Sequence, residues 1–87
     1  PKAVNGEQCA MMVKALYKEG KSAEAERWAE LSLEKWPDEE QSYLNILYIK
    51  YNLGKEEEFY KYLKELTGSG IALSRKGLDI VRFWLKR

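Results

Sequence analysis

An 87-residue chain that is 45% hydrophobic and 33% charged has the composition of one small globular domain, near the lower size at which a single core is stable unaided. No apolar run approaches the roughly 20 residues that a membrane-spanning helix needs. The absence of histidine and the presence of a single cysteine, Cys9, exclude an internal disulfide framework, the usual zinc ligand sets and histidine-based acid–base chemistry, and make the cytoplasm the expected compartment.

The first predicted helix covers residues 5–18, where apolar residues recur at the i, i+3, i+4, i+7 spacing of an amphipathic helix. Cys9 lies on the apolar face, so we expect a small buried hydrophobe rather than a reactive thiol. Gly20 is expected just past the helix end, where a residue with positive φ is favoured. A second helix is predicted from Ser22, as N-cap, to residue 36, and Pro37 ends it.

The third predicted helix is capped by Asp38, and Gln41 three residues later completes a capping-box pattern. Its central part, from Tyr43 to Leu53, carries apolar residues in nearly every direction around the helix. A helix of this kind is enclosed by neighbours on most of its circumference, so this segment is predicted to be the centre of the fold. Gly54 is predicted to end it.

A fourth helix is predicted to begin with the glutamate run 56–58, which faces the positive end of the helix dipole, and residues 67–70 are predicted to be a loop. A fifth helix follows over residues 74–86. The residues predicted to lie on the packed sides of these two helices are Phe59, Tyr62, Leu63 and Leu66, and then Leu78, Val81, Trp84 and Leu85.

The short motif Gly20-Lys21-Ser22 matches the end of a phosphate-binding loop, but the glycine that such a loop needs five residues earlier is Ala15, and no strand precedes it. Self-similarity accounts for the glycine instead. Three residues recur 34 positions later: Tyr17, Gly20 and Lys21 return as Tyr51, Gly54 and Lys55. A fixed period of this length in helical sequence is typical of a repeated helix-turn-helix unit, so Gly20 is predicted to be a turn residue.

With this period the sequence resembles the tetratricopeptide repeat, a 34-residue unit of two antiparallel helices. In the first unit, residues 6–39, Gly20 matches the turn of that pattern. Ala25 and Ser32 match its small positions in the second helix, which allow the two helices to approach closely. Pro37 matches the closing proline.

The second unit, residues 40–73, keeps Tyr43 at an early aromatic position and Gly54 at the turn. Phe59 and Leu66 replace its small residues, so its two helices are expected to splay apart. Residues 74–87 match the first half of a third unit and are expected to cap the array. The resemblance implies a single all-α domain of five helices, arranged as antiparallel hairpins that stack into a short right-handed α-solenoid.

The resemblance further implies a protein–protein interaction module, with no catalytic activity, cofactor or metal, that holds a peptide or a partner helix in a concave groove. The residues implied to face this groove are Lys14, Tyr17, Lys18, Asn45, Tyr48, Tyr51, Asn52, Arg75, Asp79 and Arg82. This mixture of phenols, amides and cations suits a peptide of acidic or carboxylate character. The clamp for a chaperone's C-terminal carboxylate, present in one subfamily, is not expected, because Ala10 and Asp79 lack its cations.

Two other interpretations stay open. Residues 74–87 hold five cations against Asp79 alone, so the final helix could lie on an anionic membrane or on nucleic acid, although packing of its apolar side on the preceding unit is the simpler expectation. The apolar run 9–13 leaves Met11 facing away from the second helix. That surface is expected to meet a second copy, giving a homodimer, or a preceding segment, as in an accessory domain of a larger enzyme.

The acidic residues and the remaining tyrosines are given structural roles. Glu24, Glu26 and the run 56–58 are expected to be solvated helix starts, because no two of them share an apolar cleft in which a carboxylate pKa would rise. The tyrosines expected to belong to the core or its edge are Tyr43, Tyr60 and Tyr62.

Overall fold

A computed structural model describes residues 5–86 of the chain, which form five α-helices. They are α1 (Gly6–Lys18), α2 (Ser22–Lys35), α3 (Glu40–Asn52), α4 (Glu56–Gly68) and α5 (Arg75–Leu85). No strand occurs between residues 5 and 86, so the predicted all-α class is confirmed. The predicted loop at 67–70 begins too early, because α4 continues through Gly68. Arg87, one of the predicted cations of the last helix, lies outside the described residues.

The third helix is the centre of the fold. It packs against α1, α2 and α4, and α1 also packs against α2. Eight of the 13 residues of α3 are buried, which confirms the enclosure expected from its all-round apolar sequence. The hydrophobic core that surrounds it comprises Cys9, Val13, Ala25, Ala29, Tyr43, Ile46, Leu47, Ile49, Phe59, Leu63, Leu66 and Val81.

Small side chains let α2 lie close to α1. Ala25 and Ala29 are fully buried, and so is Cys9 on the facing side of α1. The Cys9 thiol donates to the backbone oxygen of Trp28 over 3.2 Å. Burial raises the pKa of this thiol, so Cys9 stays neutral and acts as the small buried hydrophobe that was predicted. In α4 the position that corresponds to Ala25 holds the larger Phe59, which is also buried, and α3 and α4 make fewer close backbone approaches than α1 and α2.

The two turns that follow α1 and α3 have the same geometry. Gly20 has a φ of 83°, and its N–H donates to the Tyr17 oxygen over 3.0 Å. Gly54, 34 residues later, has a φ of 71° and donates to the Tyr51 oxygen over 3.1 Å. In both turns the next N–H reaches back five residues, which completes a Schellman motif. The prediction that Gly20 is a turn residue is therefore confirmed.

Two helices begin with a side-chain cap. The Asn5 Oδ1 atom accepts from the Gln8 N–H over 2.9 Å at the start of α1. At the start of α5, the Ser74 Oγ atom accepts from the Gly77 N–H over 3.2 Å. These bonds satisfy helix-terminal donors that would otherwise have no partner.

The predicted caps of α2 and α3 are wrong. Ser22 is the first helical residue of α2 rather than its cap, and the N-cap of α3 is Glu39, one residue beyond the predicted Asp38. The capping box fails because the Gln41 amide donates to the Asn45 Oδ1 atom, over 2.8 Å, instead of reaching back. Glu39 is used elsewhere, since its carboxylate accepts from the Gly6 N–H over 3.0 Å and so binds the start of α1.

Two buried serines, Ser42 and Ser32, differ in whether their hydroxyl groups have a hydrogen-bond partner. Ser42 is fully buried, and its Oγ atom has no hydrogen-bond partner among residues 5–86. Ser32 is equally buried, but its Oγ atom donates to the Ala29 oxygen over 2.7 Å. We expect Ser42→Ala to raise the free energy of unfolding by about 1 kcal/mol, since it removes an unsatisfied group, and Ser32→Ala to lower it by about 1 kcal/mol.

Urea unfolding of the two variants beside the wild type measures both changes. An equal loss of stability in both variants would show that the Ser42 hydroxyl is satisfied in solution.

Candidate functional site

A groove of about 330 Å³ opens between α1 and α5, over α3. Its apolar lining comprises Ala10, Val13, Leu44, Leu47, Phe59, Ile80 and Trp84. The other lining residues are Lys14, Gln41, Asn45, Tyr48, Tyr51, Asn52 and Lys76. The first, third and fifth helices therefore share one concave, largely apolar surface.

The groove exists because α5 makes few close backbone approaches to the other helices and is held mainly through side chains. Near its start, the Ser74 N–H donates to the Glu40 carboxylate over 2.7 Å. Gly77 lies so close to the same carboxylate that a Cβ atom there would collide with it. Near its end, the Trp84 ring packs 5.0 Å from the Phe59 ring, centroid to centroid. Between these two attachments, space remains open above α3.

Five of the predicted groove residues line this space: Lys14, Asn45, Tyr48, Tyr51 and Asn52. The other predicted residues, Tyr17, Lys18, Arg75, Asp79 and Arg82, lie outside the lining. Tyr17 contacts two of the lining residues. Its ring packs edge-on against the Tyr48 ring at 6.3 Å, centroid to centroid, and its hydroxyl donates to the Asn52 oxygen over 3.4 Å. The side chains of the other four are exposed to solvent.

The two predicted amides are engaged within the protein. Asn45 is only 3% exposed, and its Nδ2 atom donates to the Gly6 oxygen over 2.9 Å. Its Oδ1 atom accepts from Gln41, so Asn45 joins α1 to α3. The Asn52 Nδ2 atom donates to the Tyr48 oxygen over 2.7 Å. Both amides therefore shape the groove, and the aromatic rings and the cations are the groups left to meet a ligand.

The groove carries a surplus of positive charge. Lys14 and Lys76 line it, no carboxylate does, and neither lysine forms an ion pair with any residue between 5 and 86. The Lys14 Nζ atom lies 5.6 Å from the centroid of the Tyr48 ring, within cation–π range. An apolar floor beside two cations favours a ligand that combines apolar and acidic groups.

Sequence reasoning assigned the wrong residues of α5 to this surface, because Lys76, Ile80 and Trp84 line it in place of the predicted Arg75, Asp79 and Arg82. The predicted packed side of α5 was partly wrong, because Leu78 and Leu85 are 39% and 57% exposed. The buried positions are Gly77 and Val81. The spacing of Gly77, Ile80, Val81 and Trp84 is also i, i+3, i+4, i+7, and this pattern could have identified the inward side.

A buried lysine forms a second cluster that the sequence analysis did not identify. The Lys50 side chain is 0% exposed, and its Nζ atom donates to Glu26 over 2.5 Å and to Glu58 over 2.6 Å. A third carboxylate, that of Glu30, lies 3.0 Å away. The cluster joins α2, α3 and α4. A lysine within the otherwise apolar segment 43–53 was the available signal.

The prediction that Glu26 and Glu58 are merely solvated helix starts is wrong, because both bind Lys50 and Glu26 is only 17% exposed. Glu24 is exposed, as predicted. The carboxylate oxygens of Glu26, Glu30 and Glu58 lie within 4.8 Å of one another. The Lys50 ammonium donates to all three, so the position that a bound cation would take is already filled.

The electrostatics of the cluster keep Lys50 charged. Burial alone would lower the pKa of Lys50, but its hydrogen bonds to the glutamates outweigh burial and raise that pKa well above the usual range. Burial alone would raise the pKa of Glu26, but hydrogen bonds from Lys50 and Lys55 lower it. The hydrogen bond from Lys50 lowers the pKa of Glu58. A lysine held protonated at neutral pH is a poor nucleophile or base, so the cluster is structural.

The surfaces named in the two alternative interpretations are both open to solvent. Met11 is 73% exposed on α1. On α5, Arg82 and Lys86 are exposed, and Phe83 is 54% exposed. Self-association through Met11 and binding of α5 to an anionic surface therefore stay predictions.

Comparison of the chain with protein-family models, with curated proteins and with solved structures finds no match. None of the helices between residues 5 and 86 has both the length and the apolar character needed to cross a bilayer.

Proposed function

We propose that this chain is a tetratricopeptide-like interaction module that binds a peptide or a partner helix in the groove between α1, α3 and α5. The observation that carries the proposal is the groove itself, with its apolar floor and its surplus of positive charge. The equivalent turns at Gly20 and Gly54 support two repeat units, residues 6–39 and 40–73, followed by a capping helix.

The groove offers binding groups and no catalytic set. Tyr48 and Trp84 supply aromatic area for an apolar side chain of the ligand, and Lys14 and Lys76 supply charge for its acidic groups. Asn45 acts by positioning α1 against α3. The proposed partner is therefore a protein segment that is partly acidic, and the module itself needs no cofactor.

The test is selection of a displayed random-peptide library on the immobilised chain, followed by affinity measurement of the enriched peptides. We expect the double variant Tyr48→Ala/Ile80→Asp to weaken binding by at least roughly tenfold, since it removes an aromatic contact and places a like charge beside an acidic ligand. Both side chains are half-buried, so circular dichroism first establishes that the variant folds.

The matched control is Tyr62→Ala/Leu31→Asp, which makes the same chemical changes at half-buried positions that do not line the groove. Its affinity for the same peptides should stay within about twofold of the wild type. The proposal fails if no peptide is enriched, or if both double variants bind the enriched peptides equally well.

A further inference from the structure

A second cleft, distinct from the groove, lies between α4 and α5. It has a volume of about 650 Å³ and is lined by Tyr60, Lys61, Leu63, Lys64, Glu65 and Leu85. Leu85 and the groove residue Ile80 are separated by about 140° around α5, at about 100° per residue, so the two concave surfaces lie on different sides of this helix. We call this second surface the α4–α5 cleft.

The α4–α5 cleft has an exposed leucine on its α5 side. Leu63 is fully buried beneath it, whereas Leu85 on its α5 side is 57% exposed. Leu78, which lies about 20° from Leu85 around α5, is 39% exposed. Leu78 does not line the cleft but lies on the same side of α5, about two turns before Leu85, so the two leucines form an exposed apolar stripe that a partner helix could cover.

The same surface is strongly basic. Lys61 and Lys64 line the cleft, and Glu65 is the one acidic residue of its lining. Arg82 and Lys86 lie within about 100° of Leu85 around α5 and are exposed. In the described part of the chain, no carboxylate forms an ion pair with any of these four cations. The Lys61 Nζ atom instead lies over the Tyr62 ring, 5.2 Å from its centroid.

We propose that the α4–α5 cleft binds an acidic amphipathic helix of a partner protein. A cleft between two helices matches the shape of a third helix, whose apolar stripe would contact Leu85 and Leu78. Aspartate or glutamate residues beside that stripe would pair with Lys61 and Lys64 on one wall and with Arg82 on the other. A flat anionic membrane would reach the rim cations but not the base of the cleft, which favours a helix.

The probe is a fluorescein-labelled peptide of roughly 15 residues, about four helical turns, with leucines at i, i+3, i+4, i+7 spacing and glutamate and alanine elsewhere. Its matched control carries lysine in place of each glutamate. We expect the acidic peptide to bind the 87-residue chain, its affinity to fall as salt is raised, and the basic peptide not to bind. The double variant Lys61→Glu/Lys64→Glu should weaken binding of the acidic peptide by at least roughly tenfold.

Repeating the titrations in the Tyr48→Ala/Ile80→Asp background, where binding in the groove is weakened, separates the cleft from the groove, and the tenfold loss on charge reversal of Lys61 and Lys64 should persist there. The control Lys21→Glu/Lys35→Glu, which makes the same charge change outside both surfaces, should bind the acidic peptide within about threefold of the wild type. Absence of binding, equal binding of both peptides, or unchanged affinity after charge reversal in the cleft would overturn the proposal. The proposal would also be overturned if the peptide does not bind while the chain co-sediments with vesicles of phosphatidylserine and phosphatidylcholine in a way that depends on Lys61 and Lys64.

Discussion

Lys50→Met is expected to lower the free energy of unfolding by about 3 kcal/mol at pH 7. Methionine fills most of the volume of lysine and suits an apolar site, so lost packing contributes little. The cost arises because Glu26, Glu30 and Glu58 keep their negative charges within 4.8 Å of one another and lose the cation between them. Urea unfolding of the two proteins at pH 7 measures the difference.

The pH dependence of the free energy of unfolding should be opposite in sign in the Lys50→Met variant. In the wild type the pKa values of Glu26 and Glu58 are lowered, so their contribution to stability is present above about pH 4.5 and is lost as the pH falls through the lowered values. Without Lys50, mutual repulsion raises the carboxylate pKa values in the folded state. Acidification from pH 7 toward pH 4.5 should therefore stabilise the variant and narrow its difference from the wild type.

Lys55→Met is the control for this cluster. Lys55 pairs with Glu26 over 2.6 Å but is 41% exposed, so its removal should cost less than about 1 kcal/mol. If Lys50→Met is equally destabilising at every pH, its effect is one of packing and the electrostatic account of the cluster is wrong.

Trp84→Ala is expected to release α5 from the rest of the protein and to cost about 2 kcal/mol, less than a fully buried tryptophan would. Trp84 packs against Phe59 at 5.0 Å and against Tyr51 at 5.1 Å. An 11-residue helix has little stability alone, so releasing α5 should remove roughly a sixth of the helical circular dichroism signal. Hydrogen exchange should accelerate in α5 and stay slow in the buried part of α3.

The neighbouring substitution Phe83→Ala is the control. It tests whether the effect of Trp84→Ala comes from losing the contacts that hold α5 or from losing any aromatic side chain of that helix. Phe83 is 54% exposed, and its ring lies 5.1 Å from the Trp84 ring. Its removal should cost less than about 1 kcal/mol and leave the helical signal intact. Equal effects of the two substitutions, or an unchanged α5 in Trp84→Ala, would show that other contacts hold this helix.

The sequence predicts the helices well because their signals are local. The i, i+3, i+4, i+7 spacing identifies each helix, and Gly20, Pro37 and Gly54 mark the ends through backbone preferences that need no tertiary partner. Helix caps are harder to predict, because one side-chain acceptor can bind any of several backbone N–H groups. Glu39 binds the N–H of Gly6, 33 residues away, and nothing near it in the chain indicates that bond.

The candidate site is only partly predictable, because it too depends on contacts between residues that are far apart in the chain. Five lining residues of α1 and α3 were predicted, because the resemblance to the repeat implies which positions of those helices face its groove. The contribution of α5 depends on how Trp84 and Gly77 place that helix, and the face predicted from periodicity, with Leu78 and Leu85, was partly wrong because a second face has the same spacing. The Lys50 cluster gathers side chains from three helices, so local patterns could show only that a lysine interrupts an apolar segment.

The enclosure of Lys50 has a consequence for chemical labelling. Acylating reagents attack the neutral amine, and this ammonium is both shielded from solvent and held protonated by the carboxylates around it. Lys50 can therefore be acylated only after local or global unfolding, whereas exposed lysines such as Lys64 react in the folded protein. The rate at which Lys50 is acylated thus reports how often the centre of the helical stack opens.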